Sequence, residues 1–328
     1  MHLDSAREIK AQLRRDAGRI RQARALPRTA AGQVAVGICV LGGGTYGVAV
    51  RYSGESELGA GVTARARELA GDACDVRDVG IVRALQWQPT ELQQRHRPLR
   101  PGLSVSHVDV TAGTIGAFVT PVEGDPAEVH ILSNNHVLAD SDRARPGDSV
   151  LQPGTADGGG DPGDRVGTLA LVAPLDTDGL NVVDAATARL DEGVQIDGAY
   201  PDGALSGWAD ARDDVDVEKV GRTTGLTTGR VTAIEIDDVS VEYPLGTVDF
   251  EDQIEIEGVG GAFSAGGDSG SIVYRAGTLE AIGLLFAGSE RGGENGQGLT
   301  YCNPVGMVLS RLGVRLLGAS VTSPVPGG

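Results

Sequence analysis

The sequence predicts a β-dominated, turn-rich globular chain of sandwich or barrel type, preceded by a helix and a small α+β layer. Three observations carry this. Fifty glycines fall mostly between short apolar runs, with no collagen-like period, and glycine supplies the positive φ that tight turns need. From Leu103 onward the pattern is one of short strand-like runs separated by turns and loops, the mark of a sandwich or barrel. Aromatic residues are only 4% of the chain, so the core is expected to be Val, Ile, Leu and Ala.

The elements follow in chain order. Residues 3–26 read as a helix, with Ser5 and Glu8 in capping-box spacing and a narrow apolar stripe of Leu3, Ile9, Leu13 and Ile20. Residues 1–28 hold eight Lys/Arg against three acidic residues, +5 in a chain of −17, which leaves −22 for the rest. A helix packed on the acidic body is the favoured reading, and a partner-binding or membrane-surface helix the other. After a break at 27–32, residues 34–41 and 46–52 read as strands joined by a Gly42–Gly44 turn, 58–69 as a helix and 75–82 as a strand. The expected organisation is a basic amphipathic helix over 1–32, a small accessory domain over 33–83 and a polar, proline-bearing linker over 84–102. A larger β domain over 103–318 and a disordered tail over 319–328 complete it.

Within the largest unit, strands are expected at 114–119, 129–133, 167–172, 182–189, 231–236 and 254–259. Residues 145–164 read as a long irregular, solvated loop; its aspartates raise the question of Ca²⁺, but the spacing fits neither an EF-hand nor a β-helix repeat. No metal or cofactor is expected.

Composition excludes several classes. A net charge of −17 does not suit a general nucleic-acid binder, which needs a basic face for phosphates. No apolar run approaches the roughly 18–20 residues of a membrane-spanning helix, and the N-terminus lacks the apolar stretch of a secretory signal. Cys39, Cys74 and Cys302 are odd in number, widely spaced and without a C-x-x-C pair. Free thiols in a reducing cytoplasm are the expectation.

Three segments carry chemistry. His136 follows an apolar strand and an Asn134-Asn135 turn; Asp184 heads an alternating strand; Ser269 lies in the turn Gly266-Gly267-Asp268-Ser269-Gly270, which runs into another apolar strand. A serine hydroxyl becomes nucleophilic when an imidazole removes its proton, and a buried carboxylate fixes that imidazole and stabilises its charged form. The backbone N–H groups of Gly267 and Ser269 are placed to receive the oxyanion of a tetrahedral intermediate. Chain order separates the competing folds. His, Asp, Ser excludes the α/β-hydrolase order, and Ser271 breaks the G-x-S-x-G elbow.

These segments resemble the trypsin/chymotrypsin-like serine peptidases over residues 103–318. Lys219-Val-Gly-Arg-Thr-Thr-Gly-Leu-Thr-Thr-Gly-Arg-Val231 is similar to a bacterial cytosolic branch of that superfamily and to the plant narrow-leaf proteins. The resemblance implies a chymotrypsin-like pair of six-stranded antiparallel β-barrels. His136 and Asp184 would belong to the first barrel, Ser269 to the second, with the site between them. The Lys219–Val231 segment would open the second barrel as a glycine-turned hairpin.

The resemblance further implies a bacterial serine endopeptidase with a polypeptide substrate, and a substrate pocket at Phe263, Leu285, Phe286, Ala287 and Gly288. Phe263 stands at the specificity position where an acidic residue would select Lys or Arg. Ser271 and Asn135 depart from the family's usual glycine and alanine. With no small-apolar activation site upstream of the 114–119 strand, Asp268 needs another partner, or a trigger supplied through the N-terminal helix and accessory domain, which would also be where a regulatory protein partner binds. The alternative is a catalytically silent peptidase fold that binds peptides or partners.

Overall fold

The computed structural model describes residues 1–24, 33–54, 56–83, 91–125, 127–212 and 215–317. The expected tail at 319–328 lies outside them. Among the described residues, no helix is long and apolar enough to cross a membrane.

Helix α1 (Leu3–Arg24) begins two residues before Ser5, so the expected capping box does not start it. The Met1 ammonium donates to Tyr46 O at 2.8 Å and Ala6 N–H to His2 O, which fixes the first turn earlier in the chain. Ala6, Leu13 and Ala17 are buried, with Ile9 and Ile20 packed beside the latter two. Strands β1 (Val34–Gly42) and β2 (Thr45–Tyr52) form a hairpin. Its turn needs positive φ at Gly42, Gly43 and Gly44. Helix α2 (Glu57–Ala70), capped by Ser56 Oγ accepting from Gly59 N–H at 2.9 Å, crosses over to β3 (Cys74–Asp78), which lies parallel to β2. A parallel pair requires such a crossover. The single strand expected over 75–82 is instead two, because the chain turns at Gly80 (φ 64°) and enters β4 (Val82–Arg83) elsewhere in the sheet.

Of the expected linker, 84–90 lies outside the described residues. Beyond it Leu99 is buried, and it bridges to Ile196 on the first barrel. That barrel is built from β5 (Ser104–His107), β6 (Gly113–Thr114), β7 (Ala117–Pro121), β8 (His130–Ser133), β9 (Ser149–Leu151) and β10 (Arg165–Val172). A short helix α3 (Asn135–Leu138) follows β8, and β12 (Ala186–Leu190) completes the set, while the intervening β11 (Leu180–Asn181) pairs in parallel with Asp249 and Phe250 of the second sheet. Pairing runs β5–β9–β10–β12–β8–β7, and β6, in the same run of chain as β7, pairs back on β5. These strands wrap around Val105, Ile115, Phe118, Ile131, Val150, Val166 and Leu169. Part of the expected solvated loop at 145–164 is therefore strand β9, with Val150, Leu151 and Gln152 buried. Its aspartates are bound to the protein: Asp148 accepts from Arg145 N–H, Asp157 from Arg222 and Asp164 from Arg95.

Short strands β13 (Ala199–Tyr200), β14 (Gly203–Ala204) and β15 (Gly207–Trp208) lead to the second barrel. Its strands are β16 (Asp216–Gly221), β17 (Gly225–Asp237), β18 (Val239–Tyr243), β19 (Gly246–Phe250), β20 (Gln253–Gly258), β21 (Ile272–Arg275), β22 (Glu280–Ser289) and β23 (Thr300–Pro304). Six of them close antiparallel in the order β16–β17–β20–β23–β22–β21 and back to β16. Helix α4 (Val305–Leu312) and β24 (Val314–Leu316) then return the chain to β7. A half-barrel of antiparallel strands followed by a closed six-stranded antiparallel barrel matches the chymotrypsin-like double-barrel fold. The hairpin expected at the Lys219–Val231 motif is β16–β17. The far end of β17 also pairs with β1 (Ile38↔Ile234), so the N-terminal layer and the second barrel share one sheet.

Candidate active site

His136 lies on the single turn α3, directly after β8. Its Nδ1 is 2.5 Å from Asp184 Oδ2, and its own N–H donates to Asp184 Oδ1 at 3.2 Å. A carboxylate only accepts, so Nδ1 carries the proton and Nε2 keeps its lone pair. Asp184 is fully buried. Burial alone would raise its carboxyl; electrostatic attraction to His136, together with hydrogen bonds from His136 and Tyr243, outweighs this and holds it below the ordinary carboxylate value. Tyr243 OH donates to Asp184 Oδ2 at 2.7 Å, and its ring meets His136 edge-on, centroids 5.8 Å apart.

The neighbours of the histidine are also committed. Asn134 Nδ2 donates to Asp184 O at 2.7 Å, and Asp184 N–H to Asn303 Oδ1 at 2.9 Å. Asn135 Nδ2 donates to Ala173 O at 2.8 Å and to Asp142 Oδ1 at 2.6 Å. The asparagine that departs from the family pattern is thus a tie between α3 and the loop after β10.

Ser269 is carried by the second barrel and is almost fully buried. Its turn sits directly on the end of β8: Gly270 has φ 94° and a Cβ there would overlap Ser133 Oγ. Thr114 N–H donates to Ser269 O at 2.8 Å, and a Cβ on Gly113 would lie 2.6 Å from Val137 Cγ1 and 3.0 Å from Ser269 O. The two barrels therefore meet where the histidine and serine segments lie. No hydrogen bond joins Ser269 Oγ to His136 Nε2 among the described residues.

Nearly every acceptor of the serine turn has a donor. Gly266 O accepts from Thr223 Oγ1 at 2.5 Å and Gly267 O from Thr114 Oγ1 at 2.7 Å. Asp268 O accepts from Ser271 N–H and Oγ. The buried Asp268 carboxylate accepts from Thr223 N–H (2.8 Å), Thr224 N–H (3.2 Å), Thr224 Oγ1 (2.6 Å) and Ala265 N–H (2.9 Å), and lies 3.3 Å from the Lys219 ammonium. Burial depresses the Lys219 pKa and Asp268 opposes that, leaving it below the ordinary value. The partner that Asp268 requires is supplied by the Lys219–Val231 hairpin, a function the sequence reading did not give it.

The donors of the turn divide. Asp268, Gly270 and Ser271 N–H are bonded to Ala265 O, Leu285 O and Asp268 O. Gly267 and Ser269 N–H have no acceptor among the described residues. At Gly267 (φ 90°) a side chain would strike Arg222, its Cβ 2.5 Å from Nη1. Arg222 is itself buried and held bidentately by Asp157 from the first barrel, so it braces the turn from outside.

The expected pocket residues are all buried. Phe263 packs in the second-barrel core with Val231, Ile256 and Cys302, next to Gly229, and Leu285 joins that cluster. Phe286 and Ala287 belong to a second cluster with Tyr243, Phe250 and Tyr301, and Gly288 is paired with Arg83. The cysteines are free thiols; burial raises all three, Cys39 to about 11.

Fold and site together define a chymotrypsin-like double barrel with a His–Asp pair on the first barrel and a serine turn on the second, where the two meet. No family model and no curated protein matches the chain. Among solved structures it is similar to Thermobifida fusca protease A (18% identity, 66% of this chain and 98% of that chain, TM-score 0.46). It is likewise similar to Nocardiopsis protease (20%, 66% and 99%, 0.46) and to Cellulomonas bogoriensis chymotrypsin (22%, 67% and 99%, 0.45).

Proposed function

We propose that the chain is a serine endopeptidase acting on polypeptides through an acyl-enzyme on Ser269. His136 Nε2 takes the Ser269 proton as Oγ attacks the carbonyl, then returns it to the leaving amine. Asp184 orients the imidazole and stabilises its charged form. The Gly267 and Ser269 N–H groups receive the oxyanion, where one donor is typically worth on the order of 10²–10³ in turnover. Water, activated by the same histidine, releases the acyl group. With Phe263 in place of a carboxylate, no selection for Lys or Arg is proposed. The N-terminal region is proposed to regulate the site.

The observation that supports this most is the pairing of a buried, ionised Asp184 with His136 beside a turn whose only two unbonded N–H groups, among those of residues 267–271, are Gly267 and Ser269. The lack of a Ser269–His136 hydrogen bond among the described residues is compatible with it, since catalytic hydrogen bonds often tighten only when substrate binds.

Labelling with a fluorophosphonate tests the reading. The folded wild type is expected to label, and Ser269→Ala and His136→Ala each to abolish labelling. A folded wild type that stays unlabelled would leave the alternative, a catalytically silent fold that binds peptides. A panel of matched ester and amide substrates separates peptidase from esterase.

A further inference from the structure

The edge of β22 beside the serine turn is the place to look for a peptide. β21 accompanies β22 only as far as Ile272↔Leu284. The serine turn takes over at the next residue, with Gly270 N–H donating to Leu285 O at 2.8 Å and Leu285 N–H to Ser271 O at 2.9 Å. The opposite edge is covered by β23 from Gly283 to Gly288. An extended peptide that brings a carbonyl to Ser269 by adding to the sheet must therefore use the serine-side edge beyond Leu285.

That edge is occupied. Gly288 pairs with Thr300 on one side and with Arg83 on the other, and Ser289 pairs with Val82. β4 thus lies on the serine side. It runs antiparallel to β22, toward the serine turn, the direction taken by the acyl-donor part of an antiparallel substrate. Its other flank is covered by β18 (Glu242↔Arg83). Val79 and Val82 anchor it in a cluster with Phe286, Ala287, Leu299 and Tyr301.

We propose that β4 is a built-in occupant of the substrate edge, so that the chain closes its own site to extended peptides until this strand is displaced. The inference rests on the serine endopeptidase reading and gives the N-terminal region its means of regulation. Short substrates that need no edge pairing remain free to react.

The test uses the full chain. Val82→Asp puts a charge into the apolar anchor, and Val82→Ile serves as the conservative control. If the open form is under about 10% of molecules, Val82→Asp raises kcat/KM for peptides of six residues by about tenfold or more, leaves a single-residue ester unchanged, and Val82→Ile behaves as wild type. Fluorophosphonate labelling of both proteins with equal peptide kcat/KM overturns the inference and leaves the enzyme reading standing; absence of labelling in both overturns the two together. Should Val82→Asp fail to fold, hydrogen exchange on the wild type decides. A hexapeptide aldehyde bound to Ser269 is expected to deprotect the Val82 and Arg83 amides while an amino-acid aldehyde does not, and unchanged protection with the hexapeptide overturns the proposal.

Discussion

Lys219 is a buried cation whose carboxylate partner, Asp268, adjoins the nucleophile. Removing one member of a buried pair leaves the other charge uncompensated, typically at about 3–5 kcal/mol. Lys219→Met is therefore expected to lower unfolding free energy by about that amount and to reduce turnover more than KM, because the turn carrying the Gly267 N–H loses its brace. Adding Asp268→Asn should recover stability, measured by urea denaturation, without recovering turnover. A single variant with wild-type turnover would remove Lys219 from any positioning role. The sequence made His136, Asp184 and Ser269 legible because each sits in a short contiguous segment with its own turn signal. It raised the question of a partner for Asp268 but could not answer it, since Lys219 is 49 residues away (268 less 219) and meets it only through the closure of the second barrel. Tyr243 was hidden for the same reason: nothing in a Val-Ser-Val-Glu-Tyr strand announces a hydrogen bond to Asp184.

At the scale of elements, local periodicity located the first hairpin, α2 and most barrel strands. It missed β9, whose two apolar residues are embedded among Gly, Pro and Asp, and it could not show that β1 pairs with β17. That pairing bears on how far the N-terminal layer can be removed. Arg51 of β2, fully buried, donates to both oxygens of the buried Glu255 on β20 at 2.7 Å, and to Asp75. A fragment beginning at Leu103 loses the arginine and keeps the carboxylate inside the barrel. The Glu255→Gln substitution should then have opposite signs in two backgrounds: destabilising in the full chain, where it breaks the pair, and stabilising in the fragment, where it removes an unpaired charge. Thermal melts of the four proteins read this directly. The same sign in both would mean that Glu255 in the fragment finds solvent or another cation.

Over the whole molecule, part of the charge asymmetry read from the sequence serves to dock α1. Arg7 meets Glu235 at 2.5 Å, Lys10 meets Asp237 at 2.9 Å, and Arg14 reaches Asp237, Asp238 and Glu251. The acidic surface beneath outnumbers these cations, and Asp252 shows it. Burial raises its carboxyl, Lys10 opposes, and Glu235, Asp237 and Asp210 raise it further, to about 6. An unfolded aspartate titrates near about 3.9, so between these values the native state binds more protons than the unfolded one and stability falls as pH rises. The contribution is fully present below about pH 4 and is lost as the pH passes through about 6. Asn suits this position because residue 252 has φ 62°, a region asparagine tolerates. Asp252→Asn is accordingly expected to raise the melting temperature at pH 7.5 and to flatten its decline between about pH 4 and about pH 6. If wild type and variant show the same pH slope, the cluster beneath α1 is already neutralised by its three cations and Asp252 titrates as an ordinary surface carboxylate.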